Sequence, residues 1–119
     1  MDTFNSYYNM AGKALVVLIY DKYRDDNKEL SDKAVSDLKR LKERMIQGND
    51  LYKRKKYDLC YELFKNIDKD IRDDAFDLVT SQSVDRCHTE IYIAEYRKYI
   101  RFVVEILKAK LEEISNKVK

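Results

Sequence analysis

The chain contains no proline and only two glycines, Gly12 and Gly48. Tight connections between antiparallel strands need residues at positive φ or a proline with its φ preset, so a chain this poor in both lacks the chemistry of hairpins and sandwiches. Long helices need neither residue. The economical fold is all-α: a single-domain bundle of four to five helices over residues 1–119, with a long C-terminal helix. That length suits one hydrophobic core.

One segment reads otherwise in isolation. Ala14-Leu-Val-Val-Leu-Ile-Tyr20 resembles a buried strand, but no second strand candidate exists to satisfy its backbone groups, so a buried helix is the better reading. These seven apolar residues fall far short of the roughly 20 needed to span a bilayer, and no pattern of a cleavable signal precedes them. We therefore expect a cytoplasmic protein with no membrane contact, in which Cys60 and Cys87 are reduced thiols in the core.

Apolar spacing places the helices. The first runs from about Asn5 to Tyr23 on the stripe Phe4, Tyr8, Ala11, Leu15, Leu18 and Ile19. The second opens with Ser31 as N-cap, Asp32 in the first turn and Leu30 packed on Val35, and carries Val35, Leu38, Leu41, Met45 and Tyr52. Gly48-Asn49 marks a bend or helix end. A third helix steps through Tyr57, Cys60, Phe64, Ile67, Ile71, Ala75 and Leu78, with a break near Asp70–Asp74. The last runs from about Val84 to Lys117 along Tyr92, Tyr96, Tyr99, Val103, Leu107, Leu111, Ile114 and Val118, a step nearer a straight helix than a heptad coiled coil. It approaches 50 Å at about 1.5 Å per residue and should outrun a compact bundle. The expected core includes Leu15, Leu18, Val35, Leu38, Leu41, Phe64, Ile67, Tyr96, Tyr99 and Val103.

Charge is unevenly distributed. Residues 31–57 hold nine Lys or Arg against four acids, a net of +5, whereas residues 58–82 hold seven acids against three bases, a net of −4. The basic stretch ends in Lys53-Arg-Lys-Lys56 between Tyr52 and Tyr57, and such a patch neutralises phosphates or an acidic protein surface. A soluble helix also displays lysines simply to stay soluble, so the density of charge and the flanking tyrosines carry the functional reading.

Catalytic chemistry is not indicated. Cys87-His88 and Cys60 fall short of a structural zinc set, and His88 has no nucleophile or orienting acid that the sequence can place around it. The run Asp68–Asp74 fails as a calcium loop, because Arg72 occupies a ligand position and no glycine makes the turn. A solvated acidic helix face is the better account of it. Gly48, Tyr52, Tyr57, Cys60 and Phe64 match one tetratricopeptide-like unit, but no second copy follows, so an ordinary helical hairpin is expected. We expect no enzyme, no metal and no cofactor.

Two stretches resemble the small all-helical subunit of type III-A (Csm-type) CRISPR effector complexes. They are Tyr7-Tyr8 with Ala11-Gly-Lys-Ala14-Leu15 and Leu30-Ser31, Val35 and Leu38 at the front, and Tyr96, Lys98, Tyr99, Ile100, Val103, Val104 and Lys108 at the back. An arginine that this family carries early in the second helix is Ser36 here. The resemblance implies a non-catalytic antiviral-defence subunit that binds the backbone of guide and target RNA, contacts other effector-complex subunits and self-associates. The RNA-contacting candidates are then Lys39, Arg40, Lys42, Arg44, Lys53, Arg54, Lys55 and Lys56, with Arg97, Lys98 and Arg101 on the last helix. The alternative is a small helical protein–protein adaptor, or viral or regulatory protein, that dimerises through its C-terminal helix.

Overall fold

The structure, a computed structural model, describes the backbone of residues 3–23, 28–80 and 86–118, and the side chains of 3–20, 32–71 and 90–117. The described residues form four helices and no strand: α1 (Thr3–Tyr23), α2 (Lys28–Lys53), α3 (Tyr57–Thr80) and α4 (Arg86–Val118). Ala14–Tyr20 lies inside α1, as its lack of a strand partner requires.

Three local expectations fail. α2 begins at Lys28, so Ser31 sits within its first turn rather than capping it; Lys28 and Glu29 are good helix formers that carry the helix past the cap signal. The expected Leu30–Val35 contact lies outside the described side chains. Gly48-Asn49 is no bend, because α2 continues to Lys53. Nor is α3 broken at Asp70–Asp74; it runs unbroken from Tyr57 to Thr80.

Gly48 is explained by its neighbour rather than by its backbone. A Cβ at this position would stand 2.4 Å from Cε2 of Phe64, so only glycine lets the α3 ring seat against α2. Just beside it, the Cys60 thiol donates to the Gly48 carbonyl oxygen at 3.3 Å. Gly12, in contrast, faces open space, with nothing within 4 Å of where a Cβ would be.

Each helix packs on two others: α1 on α2 and α4, and α3 on α2 and α4. Paired residues give the directions. Phe4 near the start of α1 stacks on Tyr52 near the end of α2, at 3.8 Å between centroids and 5° between planes, and meets Phe64 of α3 edge-on. Tyr7 stacks on Tyr99 of α4 at 6.1 Å, while Lys110, further along α4, reaches Tyr52 and Tyr57. Successive helices therefore run up and down around one core, the simplest arrangement of a four-helix bundle. Tyr96 crosses the centre, donating its hydroxyl to the Met45 sulfur at 3.3 Å, and burial pushes its phenol pKa up.

Nine of the ten expected core residues are buried; Tyr99 is half-exposed instead, leaning on Tyr7 and Phe102. The stripe of α4 is correspondingly rephased. Its buried residues are Ile93, Tyr96, Ile100, Val103 and Leu107, spaced 3-4-3-4, which is the heptad step rather than a straight-helix one. The tyrosines at 92 and 99 pull a sequence reading off phase, because a phenol is amphipathic and suits the edge of a stripe. Beyond Leu107 no described side chain of α4 is buried, and Glu112–Lys117 are all exposed. Since the helix has 33 residues, or about 50 Å, it accounts for most of the 56 Å long axis.

The two glycines should respond to alanine with opposite signs. Gly12→Ala should stabilise the fold by about 0.5–1 kcal/mol through helix propensity, whereas Gly48→Ala should destabilise it by roughly 1–3 kcal/mol through overpacking against Phe64. Leu38→Ala, at a fully buried site, should cost about 2–5 kcal/mol. Urea denaturation of the three variants measures all three, and a stabilised Gly48→Ala would contradict the α2–α3 packing.

Candidate functional site: a cationic turn at one end of the bundle

α2 ends in a hydrogen-bonded reversal. The Lys56 amide donates to the Leu51 carbonyl at 2.9 Å and the Lys55 amide to the Tyr52 carbonyl at 3.0 Å, with Lys55 at φ 63°. This is a Schellman motif, whose left-handed position normally takes glycine because a Cβ there crowds the following carbonyl. The Lys56 carbonyl then accepts from the Cys60 amide at 3.0 Å, which makes Lys56 the N-cap of α3. That position favours Ser, Asp or Asn, whose side-chain oxygen takes up a free amide; lysine offers only a donor and adds positive charge at the positive end of the helix. Two adjacent lysines thus occupy positions where other residues would be more stable.

The turn stands on a rigid base. Tyr52 is buried against Phe4, and Tyr57 packs edge-on against Tyr52 at 5.4 Å and 65°. Lys110 of α4 lies over both rings, 5.3 Å and 5.2 Å from their centroids, and its ammonium donates to the Tyr52 hydroxyl at 3.3 Å. Cys60 closes the base from below, and burial pushes its thiol pKa up to about 12, so it is a packing residue and no nucleophile. The two tyrosines are therefore anchors. Tyr52 is buried and Tyr57 is half-buried.

Lys53, Arg54, Lys55 and Lys56 are all exposed at this end, with Arg54 held to Asp50 by a solvent-exposed pair at 3.1 Å. The other candidates do not join them in one patch. Lys39 and Arg40 lie exposed on the outer face of α2, in a shallow depression shared with Asp32, Ser36 and Glu43, so the charge there is mixed. Lys42 borders the groove between α1 and α2. Arg44 is not the free surface cation the sequence suggests. It is half-buried and bonded to Asp70 of α3 at 2.6 Å, which ties the basic segment to the acidic one inside the chain.

On α4, Arg101 is exposed, Arg97 is half-buried, and Lys98 pairs with Glu95 at 3.4 Å and lies over Tyr99 at 4.7 Å. The hydrogen bond to Glu95 raises the Lys98 pKa above the ordinary lysine value. α2 and α4 occupy opposite corners of the bundle, so their outer faces point apart. Lys110 is the residue that sequence reasoning missed. Its signal was there: it takes the next heptad position after Leu107, where a cation interrupts an otherwise apolar stripe.

The side chains of Cys87 and His88 lie outside the described residues. Among the described residues no group of three or more His, Cys, Asp and Glu is arranged to hold a metal ion, and no helix is long and apolar enough to cross a membrane. No protein-family model, no curated protein and no solved structure matches this chain.

Because both lysines sit against local preference, Lys55→Gly should stabilise the protein by about 1 kcal/mol and Lys56→Asp by about 0.5–2 kcal/mol. Thermal or urea unfolding measures both. A loss of stability in either would mean that the turn does not carry the strain its geometry implies.

Proposed function

We propose that this chain is a non-catalytic RNA-backbone-binding subunit, of the type represented by the small helical subunit of Csm-type CRISPR effector complexes, and that the Lys53–Lys56 turn is its principal phosphate contact. The observation that carries this reading is the pair Lys55 and Lys56, retained where glycine and an N-cap oxygen would stabilise the fold. Charge kept at a structural cost argues that the charge is used. The anchored tyrosines favour backbone over base recognition, since the exposed groups of the turn are cations and carry no base-reading geometry. The CRISPR assignment within this reading rests on the sequence resemblance at both ends of the chain.

Lys39, Arg40 and Lys42 are a second, weaker contact surface, because acids interleave them. Arg44 is removed from the contact set by its bond to Asp70. A protein–protein adaptor working through α4 is the second reading, favoured by the exposed end of that helix and by Ile114 upon it.

Binding to unstructured RNA should be insensitive to sequence, with a slope of log K against log salt of roughly −2 to −3 for three or four phosphates. Changing Lys53, Arg54, Lys55 and Lys56 to Ala should flatten that slope at unchanged helicity, while the same change at Lys39, Arg40 and Lys42 should have a smaller effect. Lys55→Gly and Lys56→Asp sharpen the test, since each should weaken RNA binding while raising stability. If both bind like the parent, or if the parent binds no RNA at low salt, the turn is a solvated face and the adaptor reading replaces this one.

A further inference from the structure

Among residues 3–20 of α1 a single residue, Lys13, is charged, whereas at the chain's average of 39% about seven would be. One side of α1 faces the core and needs no charge, but its outer side is depleted as well. Val16 and Tyr20, one turn apart, are 48% and 69% exposed, and Met10 is exposed too. The outer face of α2, with Lys39, Arg40 and Glu43 all exposed, is by comparison dense in charge. Few charges around exposed apolar side chains is the composition of an interface core, not of a solvated face.

The surface beside these residues is concave. An open groove runs between α1 and α2 and follows α1 from Tyr8 to Val17, about 13 Å or two and a half helical turns. Its walls include Val16 and, across from it, Ile46, which is 56% exposed, and Met45 forms its floor. At its centre is Gly12, a helix-interior glycine with no positive φ and nothing within 4 Å of a Cβ. Such a glycine costs helix stability and satisfies no contact within the chain, so it leaves a hole for a side chain that approaches from outside. The charge at the groove has one sign. Lys13 and Lys42 line it and no acid does, and neither lysine makes an ion pair among the described residues.

We infer that this groove receives an amphipathic helix of a different protein, with an aliphatic residue seated over Gly12 between Val16 and Ile46 and acidic residues flanking its apolar stripe to meet Lys13 and Lys42. A helix laid in a groove is a recurrent recognition mode, read through anchors at i, i+3 or i+4 and i+7. Those anchors span about 10 Å, which the groove accommodates. A second copy of this chain does not suit the site. Placed face to face, its Lys13 and Lys42 would meet the same two cations, and on α4 the exposed Ile114 shares its side of the helix with Lys110 and Lys117. A lipid surface does not suit it either, because a flat surface leaves the recessed Gly12 uncovered. The inference does not rest on the RNA reading: the groove lies apart from the Lys53–Lys56 turn and is tested without RNA, so either can fail alone.

The probe is a blocked helical peptide of about four turns, with leucines at i, i+4 and i+7, glutamates flanking them and alanines elsewhere. Titrated into the isotope-labelled full chain, it should shift amide resonances chiefly in residues 8–17 of α1 and 42–46 of α2, and should itself gain helicity. The same peptide with lysines in place of its glutamates should bind about tenfold more weakly or worse. Gly12→Leu fills the hole without meeting any atom of its own fold, and Ile46→Asp spoils the opposite wall at an exposed site. Each should weaken binding by about tenfold or more, the scale of one buried aliphatic group, with the circular dichroism of the protein unchanged. Lys13→Glu with Lys42→Glu should invert the preference, making the lysine peptide the better ligand. Changing Lys53, Arg54, Lys55 and Lys56 to Ala should leave the glutamate peptide bound, which separates the groove from the cationic turn. The proposal is overturned if the glutamate peptide causes no shifts at about 1 mM, if the shifts fall on the turn, if the two peptides bind alike, or if Gly12→Leu binds like the parent. It is equally overturned if Gly12→Leu abolishes dimerisation of the parent in sedimentation, or its retention on zwitterionic lipid vesicles, since the face would then belong to a second copy or to a membrane.

Discussion

The packing of Phe64 against the bare backbone of Gly48 determines how closely α2 and α3 approach, and most of the candidate site depends on that distance. With α3 drawn in, the Cys60 thiol reaches the Gly48 carbonyl, and Phe4 of α1 meets both Phe64 and Tyr52. Tyr52 and Tyr57 are then brought edge-to-face, and the chain has only three residues, Arg54 to Lys56, in which to reverse between helices. The tightness of that reversal forces a left-handed residue. Cations in a longer loop would sit on relaxed backbone; here they are held on a fixed one.

That constraint gives the turn its meaning. Cations near the end of α2 suit the negative end of a helix dipole, so Lys53 and Arg54 are accounted for by electrostatics alone. Lys55 and Lys56 are not. One carries a Cβ in the left-handed region, and the other puts a positive charge at the start of α3. Sites of this kind, where every local preference points one way and the residue points another, are where a fold trades stability for something else. Lys110 extends the positive region from α4 while its stem and ammonium are occupied with two rings, so it raises the local potential more than it offers a mobile contact.

The charge map looks different once folded. In the sequence a +5 segment is followed by a −4 segment, which invites a picture of two opposed patches. Arg44–Asp70 shows part of that opposition being satisfied between α2 and α3, at a partly screened site where an ion pair contributes on the order of 1 kcal/mol or less. What is left for a partner is the end of the hairpin. The α1–α2 groove and the projecting α4 end are a separate matter, because they concern apolar surface left uncovered by the chain itself.

The sequence by itself determined the helical class, a count of four to five helices and nearly all of the expected core, because apolar spacing and the lack of turn residues act locally and leave few alternatives; that the third helix is unbroken, making the count four among the described residues, was decided by the structure. Leu15, Leu38, Phe64 and Val103 could be assigned from periodicity alone. The density of cations at Lys53–Lys56 was legible for the same reason. Tertiary structure decided what local pattern cannot encode. Gly48 reads as a bend until Phe64 is placed beside it, since a glycine required by a neighbour and a glycine required by its own φ look identical in sequence. Tyr99 and Ile100 compete for one core position, and only the packing of α4 against α1 settles it in favour of the aliphatic residue. Whether Lys39, Lys53 and Arg101 share a surface depends on which helices are diagonal, a property of the bundle and of no single helix.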